Sequence, residues 1–169
     1  MDAVNVTYLP EIAAYDADIE AINAEAFGPG RFARAAYRIR EGGPHERQLS
    51  FVAVYAATVV ASVRLTRAAA GAGRALLLGP LAVRPAYKNI GIGRQLVTIA
   101  LEAAEKAGAP AVILVGDEPY YGPLGFKRVP RGQLALPRPV DPDRLLAVEF
   151  RPQALALLTG VLDHEDRAG

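Results

Sequence analysis

The spacing of hydrophobic residues predicts three helices in the first two thirds of the chain. Their predicted ranges are 16–27, 31–40 and 94–107. The last range has the clearest pattern, because apolar residues recur every three or four positions from Leu96 to Ala107 and share one face. Gly108 suits the position that follows a helix. A weaker pattern from Gln153 to Gly160 also favours a helix.

Stretches rich in β-branched or alternating apolar residues predict the strands. Their predicted ranges are 4–9, 49–55, 58–66, 75–83, 111–115, 133–136 and 145–150. Proline cannot donate a hydrogen bond to a sheet, so the Gly79-Pro80 pair within the fourth range indicates a bulge or a sheet edge. The small residues from Ala68 to Gly73 favour a loop, and the last two strands are expected to form a closing hairpin.

The elements from residue 75 to residue 115 are a strand, a glycine-containing loop, a helix and a second strand. This βαβ order predicts two parallel strands joined by a right-handed crossover. The uninterrupted apolar run from Ala111 to Val115 is typical of a strand that is covered on both faces. In open α/β sheets, ligands bind beyond the carboxyl ends of such strands. The glycine loop therefore lies where a ligand is expected.

The composition fits one soluble globular domain that spans residues 1–169. Hydrophobic residues make up 51% of the chain and charged residues 22%, with a formal net charge of +1. That balance predicts no general field for nucleic acid or an anionic membrane. The sequence has no cysteine, which excludes disulfides, thiolate metal sites and a cysteine nucleophile. No apolar run reaches the ~18 residues of a membrane-spanning helix and no signal peptide is evident, so a cytoplasmic location is expected.

Two glycines immediately before the third predicted helix form a candidate anion-binding loop. Residues without a Cβ let the backbone approach a bulky anion, and the first N–H groups of a helix are unpaired. Flanking basic side chains add positive charge, which suits a pyrophosphate. The candidate residues are Lys88, Asn89, Ile90, Gly91, Ile92, Gly93 and Arg94.

Glycine pairs before a helix also occur in other kinds of loop. Two glycines alone often serve only a tight turn from strand to helix. A dinucleotide-binding loop would have a third glycine where Leu96 stands. A Walker A loop would continue with Gly-Lys-Ser/Thr, whereas Arg94 and Gln95 follow Gly93. Neither nucleotide motif fits the sequence.

The segment from Leu81 to Gly93 resembles motif A of the GNAT superfamily of N-acetyltransferases. The usual pattern is Arg/Gln-x-x-Gly-x-Gly/Ala after a strand that ends in Val-x-Pro, and here Lys88 replaces the first residue. Lysine keeps the charge but lacks the planar fork of arginine. Downstream, the segment from Tyr121 to Phe126 resembles the Tyr-x-x-x-Gly-Phe signature of the same superfamily. The wider stretch 78–126 is similar to a bacterial subgroup of uncharacterised acetyltransferases.

The resemblance implies a single-domain α/β (α+β) fold with a mixed, mostly antiparallel sheet, a central parallel βαβ unit and flanking helices. It also implies that acetyl-CoA lies along two diverging parallel strands, 75–83 and 111–115. Backbone groups of Leu81, Ala82 and Val83 would then contact the pantetheine arm, and one N–H there would polarise the thioester carbonyl. An amine would attack directly, without a covalent acyl-enzyme.

The same resemblance implies a tyrosine as proton donor to the leaving thiolate. Tyr121 occupies the signature position, and the adjacent Tyr120 is the alternative, because a one-residue change in loop path exchanges them. The strand before the glycine loop contains no acidic residue. The candidates for the general base are therefore Asp117 or Glu118, which follow the next strand and could act through water, and Glu25 on the first helix. His45 and His164 have no neighbouring ligand residues in the sequence, so no metal site is expected.

The acetyl acceptor is expected to be a small-molecule or protein amine, since the segments that would shape its site carry no specific motif. A homodimer is compatible with the resemblance, and neither nucleic acid nor a membrane is expected as a partner. The alternative function is a non-catalytic acyl-CoA-binding sensor or interaction module. The missing strand carboxylate and the lysine at position 88 favour that alternative.

Overall fold

The computed structural model describes residues 5–168, which form a mixed sheet with helices on both faces. The helices are α1 (Asp16–Phe27), α2 (Ala35–Arg40), α3 (Ile92–Lys106), α4 (Glu118–Tyr121) and α5 (Glu165–Ala168). The strands are β1 (Thr7–Pro10), β2 (Phe51–Tyr55), β3 (Thr58–Gly71), β4 (Gly73–Val83), β5 (Ala111–Val115), β6 (Lys127–Arg128), β7 (Leu134–Ala135), β8 (Leu145–Glu149) and β9 (Leu158–His164).

The sheet has the strand order β1-β2-β3-β4-β5-β8-β6, and β9 pairs with both β3 and β7. Paired strands are antiparallel except for β4 with β5 and the short pair of β7 with β9. The chain passes from β4 through α3 to β5, which is the predicted parallel βαβ unit. The expected fold class, a mixed and mostly antiparallel sheet with flanking helices, is confirmed.

Helix α3 packs on one face of the sheet through its apolar side. Leu96, Val97, Ala100 and Ala104 are fully buried in the cluster that also contains residues of β2 to β5. Burying one leucine or valine side chain contributes about 1.5–3 kcal/mol. This contact therefore fixes α3, and with it the glycine loop at its start, against the β4–β5 pair.

Helices α1 and α2 cover the opposite face. Ile19 and Ile22 of α1 pack in a cluster with Val52 of β2, and Ile39 of α2 packs in a second cluster with Leu77 of β4. The four isoleucine and leucine side chains in these contacts are almost completely buried. Both helices are thereby held against the face of the sheet opposite to α3.

One predicted loop is part of a strand, and one predicted helix is a turn that leads into a strand. β3 continues through the alanine-rich segment, where Ala68 and Ala70 are buried, and the predicted loop over 68–73 is wrong. This end of β3 pairs with the start of β4 in a tight hairpin and, on its other side, with β9 from the far end of the chain. The predicted helix over 153–160 is also wrong, since the 3-10 turn Leu155–Leu157 leads directly into β9.

Other predicted elements are divided or paired differently. The predicted helix over 31–40 consists of the 3-10 turn Pro29–Ala33 followed by α2, because Arg34 between them is extended with ψ 143°. The predicted hairpin of 133–136 with 145–150 does not form. β8 pairs with β5 and β6, whereas β7 pairs with β9. The prolines between the two segments lack N–H donors, so they cannot extend a ladder from one to the other.

The Gly79-Pro80 pair interrupts β4 in its middle. The pairing register with β3 shifts between Val63 and Leu65, opposite this pair. The peptide bond is cis, and Gly79 has a φ of 131°, which favours glycine. The predicted bulge is confirmed, whereas an edge position is wrong, because β4 lies between β3 and β5.

The turn between β2 and β3 generates a prediction about stability. Ala56 and Ala57 form this two-residue turn with φ angles of 49° and 62°, although such turns favour Asn-Gly. Alanine in the left-handed region costs roughly 1–2 kcal/mol. We expect Ala56→Asn combined with Ala57→Gly to raise the free energy of unfolding by about 1–2 kcal/mol, measured by urea denaturation.

The matched control is Ala21→Gly, at an exposed position inside α1. It should lower the free energy of unfolding by about 1 kcal/mol, because glycine is unfavourable within a helix. A double variant that is no more stable than the natural protein would contradict the assignment of strain to this turn.

Candidate active site

The parallel strands β4 and β5 separate shortly after they begin to pair. Their register comprises Leu76 with Val112 and Leu77 with Ile113. β4 then continues to Val83 in its pairing with β3, and β5 continues beside β8. The gap between the two strands opens toward their carboxyl ends, the side of an α/β sheet where ligands bind.

Backbone groups of β4 point into this gap at alternate residues. Arg84 donates its N–H to the carbonyl oxygen of Val60 at 2.9 Å. Because successive residues of a strand face opposite sides, Ala82 also faces β3, whereas Leu81 and Val83 face the gap. Of the three backbone positions predicted to contact a cofactor, Leu81 and Val83 are therefore oriented toward the gap, whereas Ala82 is oriented toward β3.

The glycine loop ends at the first turn of α3, which begins at Ile92 rather than at the predicted Arg94. Gly91 precedes the helix with a φ of 91°, a left-handed conformation that favours glycine. Since Gly91 has no side chain to cap the helix, the first N–H groups of α3 are available to an anion. The helix start therefore combines a left-handed glycine with N–H groups that no capping side chain occupies.

A cavity of about 550 Å³ lies over the start of α3, and we call it the loop cavity. Its walls include the predicted residues Leu81, Ala82, Val83, Lys88, Asn89, Gly91, Ile92, Gly93 and Arg94. Ile90 does not line it and is exposed to solvent. A Cβ added to Gly91 would meet nothing within 4 Å, whereas one on Gly93 would lie 2.6 Å from the Tyr120 hydroxyl. Glycine at position 93 therefore allows Tyr120 to approach the helix.

A second cavity of about 550 Å³ lies on the side of α1 and α2, and we call it the helix-side cavity. The stretch of β4 from Leu78 to Pro80 forms part of its wall, together with the end of β5. The two cavities share Phe27, Leu81 and Tyr120. They therefore meet beside the gap between β4 and β5, so that one elongated ligand could extend from the first into the second.

Tyr121 lines the helix-side cavity beyond the end of β5. Its ring packs closely on Gly116, where a Cβ would collide with it, and edge-on against Phe126 with ring centres 5.9 Å apart. Burial raises the pKa of Tyr121 to about 12, and the neighbouring Tyr120 and Asp117 act in the same direction. The hydroxyl therefore stays protonated at neutral pH.

Tyr120 stands where the two cavities meet. Its ring contacts that of Tyr121 edge-on, with centres 4.7 Å apart, and the guanidinium of Arg94 lies 5.3 Å from its centre. Burial raises the pKa of Tyr120, although the charge of Arg94 acts in the opposite direction. The two tyrosines predicted as alternative proton donors are thus side by side in one wall.

The three acids predicted as base candidates occupy different places. Asp117 lines the helix-side cavity, but its carboxylate accepts a hydrogen bond from Arg144 Nε at 3.2 Å and is largely exposed. Glu25 and Glu118 line neither cavity, and they lie 3.7 Å from Arg84 and 3.3 Å from Arg128, respectively. An acid outside both cavities cannot take a proton directly from a bound amine, so Asp117 is the best placed of the three.

A buried carboxylate outside the predicted site is bound by three basic side chains. Glu11 hydrogen-bonds with His45, with Arg47 at 3.1 Å and with Arg64 at 3.0 Å, and both arginines also bind Asp16. Burial alone would raise the pKa of Glu11, but the hydrogen bonds and charges of His45 and Arg64 lower it below its usual value.

His45 and Arg64 connect this cluster with the site, because both line the helix-side cavity. No local sequence pattern identifies the pair of Glu11 and His45, which are 34 residues apart. A carboxylate that orients a histidine is a common arrangement in catalytic sites. His45 is therefore a functional candidate that only the folded chain reveals.

Within residues 5–168, neither a metal-binding cluster nor a membrane-spanning helix is found. No three histidine or acidic side chains in this part of the chain are grouped so as to hold a metal ion. His164 is buried, with its Nε2 3.0 Å from the carbonyl oxygen of Pro44. None of the helices in the same range is long and apolar enough to cross a membrane.

A parallel strand pair that divides beside an uncapped helix start, between a basic glycine loop and a second cavity, is the arrangement expected of a CoA-dependent acyltransferase. A family model described as the Acetyltransferase (GNAT) family matches residues 17–126. The chain belongs to this family, and the family resemblance of the two motifs is confirmed.

The chain is similar to two uncharacterised N-acetyltransferases of Escherichia coli. It is 29% identical to YjhQ over 114 residues, which cover 65% of this chain and 63% of YjhQ. It is 28% identical to YhbS over 89 residues, which cover 53% of each protein. The chain thus spans between half and two thirds of the length of these curated relatives.

Two solved structures have the same fold. The crystal structure of YhbS from Escherichia coli in complex with CoA has a TM-score of 0.80 at 24% identity, covering 98% of this chain and 93% of that one. A GNAT family acetyltransferase from Brucella melitensis in complex with acetyl-CoA has a TM-score of 0.64 at 25% identity, covering 87% and 89%.

The buried carboxylate generates a prediction about pH. Because the pKa of Glu11 is lower in the folded chain than its usual 4.5, its ionisation stabilises the folded state. This contribution is present at neutral pH and is lost as the pH falls through the folded-state pKa. Glu11→Gln should lower the free energy of unfolding at pH 7 by about 1–3 kcal/mol and flatten its decline below about pH 5.

Urea denaturation over a series of pH values measures both effects. Glu20→Gln is the matched control, because Glu20 is also paired with an arginine but its side chain is 62% exposed. Exposed ion pairs contribute little, so this variant should follow the natural protein. Superimposable curves for Glu11→Gln and Glu20→Gln would show that the buried cluster does not stabilise the fold.

Proposed function

We propose that the protein is an N-acetyltransferase that moves the acetyl group of acetyl-CoA to a primary amine. The observation that carries this proposal is the gap between β4 and β5, beside which the loop cavity and the helix-side cavity meet. A cofactor held in the first cavity would present its acyl end to an acceptor in the second. Membership of the family and the CoA complexes of two similar proteins support this assignment.

The loop cavity fits the pyrophosphate of CoA. The first N–H groups of α3 and the side chains of Lys88 and Arg94 supply positive charge. The open space in front of Gly91 leaves room for phosphate oxygens. Further along, the gap-facing backbone groups of Leu81 and Val83 would pair with the amides of the pantetheine arm.

Direct attack by the amine would form the new C–N bond, after which the C–S bond breaks and CoA leaves as a thiolate. Negative charge develops on the carbonyl oxygen during attack, and we assign its stabilisation to the backbone N–H of Val83. The sequence has no cysteine that could carry the acetyl group as a thioester. Attack without an acyl-enzyme is therefore the simpler route.

We assign the proton donor for the thiolate to Tyr121, with Tyr120 as the alternative. A general acid must be protonated at the working pH, and the raised pKa of Tyr121 meets that requirement. A thiol has a pKa of about 8.5. The phenol of Tyr121 is the weaker acid, so the transfer of its proton to a free thiolate is unfavourable in free energy. Proton transfer would therefore accompany the cleavage of the C–S bond rather than precede it.

The acceptor amine has to lose a proton during the reaction. Asp117 and His45 both line the helix-side cavity, and Glu11 holds His45 by a hydrogen bond. Imidazole accepts a proton near neutral pH more readily than a carboxylate does. We therefore assign the general base to His45 and retain Asp117 as the alternative.

A non-catalytic acyl-CoA-binding sensor or interaction module is the second candidate. From Leu76 to Leu81, β4 contains leucines, one glycine and one proline, so this stretch offers no carboxylate to an acceptor. Lys88 also departs from the usual motif. Tight CoA binding in calorimetry without turnover of a broad panel of primary amines would favour this second function.

The assignment of the proton donor generates a prediction about turnover. Tyr121→Phe removes the hydroxyl and should lower kcat for acetyl transfer by about 100-fold or more, with little change in the affinity for CoA. Release of the CoA thiol, measured across a diverse amine library with mass spectrometry of the products, gives the rates.

Tyr15→Phe is the matched control, since Tyr15 lines neither cavity, and it should keep full turnover. Tyr120→Phe examines the alternative donor in the same assay. Unchanged turnover in both Tyr121→Phe and Tyr120→Phe would mean that neither tyrosine is the general acid.

The cofactor site generates a second prediction. Gly91→Trp would place an indole in the open space over the start of α3, and we expect CoA binding to weaken by about 100-fold or more in calorimetry. Gly132→Trp is the matched control, because Gly132 also has a positive φ, of 82°, and open space around an added Cβ. It lies outside both cavities and should bind CoA normally. Equal affinity in both variants would place the cofactor elsewhere.

A further inference from the structure

Arginines are concentrated in the wall of the helix-side cavity. They are Arg31, Arg34, Arg40, Arg64 and Arg144. Three of them form ion pairs of 2.7–3.2 Å with carboxylates, namely Arg31 with Glu20, Arg64 with Glu11 and Arg144 with Asp117. Arg34 lies over the ring of Phe27 at 4.6 Å. Positive charge therefore exceeds negative charge around this cavity.

Arg40, the last residue of α2, extends over the bulge of β4. Its Nη2 would lie 2.5 Å from a Cβ on Gly79, so the missing side chain at Gly79 makes room for the guanidinium. Its Nε is buried and has no hydrogen-bond partner among the described residues. Burial, together with the nearby charge of Arg34, lowers the pKa of Arg40 to about 9, which leaves it charged at neutral pH. A partly buried cation that forms no ion pair with a carboxylate of the described residues is ready to receive an anionic ligand.

Two further buried polar atoms in the wall of the same cavity have no hydrogen-bond partner in the part of the chain that the structure describes. They are Oδ1 of Asn23 on α1 and Oγ1 of Thr66 on β3, whose residues are 6% and 1% exposed. Buried polar groups are nearly always hydrogen-bonded, so three exceptions around one cavity indicate a ligand that completes them. A hydroxyl can donate to an anion, and an amide oxygen can accept from the N–H of an amine.

We propose that Arg40 binds a carboxylate of the acceptor, so that the acetylated substrate is a small amine that also carries a carboxylate. The proposal rests on the acetyltransferase function and names the class of its acceptor. A guanidinium meets a carboxylate in a planar two-point contact. Thr66 would donate to the same carboxylate, and Asn23 would accept from the amine. Arg40 at Gly79 would thereby hold the amine close to the gap where Leu81 and Val83 present their backbone groups.

The position of Arg40 separates this role from cofactor binding. The loop cavity has its own cations, Lys88 and Arg94, and Arg40 does not line it. The charge of Arg40 is thus available to a second anion on the acceptor side of the gap.

Binding of short carboxylic acids to the CoA-saturated protein tests the site without requiring turnover. Butyrate and glutarate are compared with butyramide and glutaramide in NMR titrations. We expect the acids to bind at least about tenfold more tightly than the amides, and Arg40→Met to abolish this preference with unchanged CoA affinity. Acids and amides that bind equally well to the natural protein, or a preference that survives in Arg40→Met, would overturn the proposal.

Arg38→Met is the matched control, since Arg38 is on the same helix but pairs with Glu41 at 3.9 Å and does not line the cavity. It should keep the full preference for acids. Arg40→Met should retain its melting temperature, because it removes a partly buried charge that forms no ion pair with the described residues. Arg40→Lys keeps the charge without the planar fork and should retain part of the preference, so the test does not depend on one variant.

Turnover of matched acceptors distinguishes failure of this site from failure of the proposed function. The natural protein should acetylate amino acids such as 4-aminobutyrate with a kcat/KM at least about tenfold above that of their carboxamides. Arg40→Met should erase the difference through the acceptor KM and leave the KM for acetyl-CoA unchanged. Faster acetylation of the amides would refute the carboxylate site while supporting the enzyme. Arg40-dependent binding of acids without turnover of any amine would support the site and refute the enzyme.

Discussion

The separation of β4 from β5 is the constraint on which the rest of the site depends. Backbone groups that leave a sheet ladder need other partners, because unpaired polar groups are costly when buried. Beyond Leu77 and Ile113 the two strands have no register, and the gap-facing groups of Leu81 and Val83 border cavities instead. The Gly79-Pro80 bulge shifts the register with β3 without ending that pairing. β4 therefore pairs with β3 along one edge and borders the ligand site along the other.

Charge is compensated unevenly around this gap. Glu11 gives up its hydration but gains three basic partners, so the cluster of Glu11, His45 and Arg64 joins β3 to the loops that precede it. Arg40 is partly buried on the same side of the sheet, and no carboxylate of the described residues compensates its charge. A buried charge that lacks a partner lowers stability, and natural proteins accept such losses mainly where a ligand will bind. The Glu11 cluster is therefore suited to stabilise the fold, whereas Arg40 is suited to bind an acceptor.

Local patterns predict those parts of the fold that local interactions determine. The periodicity of α3 and the glycines before it specify a helix and its start within a few residues, and both are found as predicted apart from a two-residue shift to Ile92. Ala68 and Ala70 have no comparable local signal, because small residues alone do not distinguish a loop from a strand that pairs with β4 on one side and, at the far end of the chain, with β9 on the other. The turn at Ala56 and Ala57 even contradicts local preference, so the flanking strands must impose it.

The sequence likewise predicts one part of the candidate site and not the other, because the chain forms the two cavities in different ways. Most of the loop cavity comes from the continuous stretch 81–94, so residues at fixed spacing form a motif that marks it. The helix-side cavity draws Asn23, Arg40, His45 and Thr66 from four separate segments, and each is ordinary within its own segment. A basic residue in the last turn of a helix is common, and only the nearby Gly79 and the missing carboxylate distinguish Arg40. Because these four side chains line the helix-side cavity and not the loop cavity, their substitution can change the acceptor without altering the walls of the cofactor site. The acceptor must therefore be inferred from unpaired groups in the folded chain rather than from a motif.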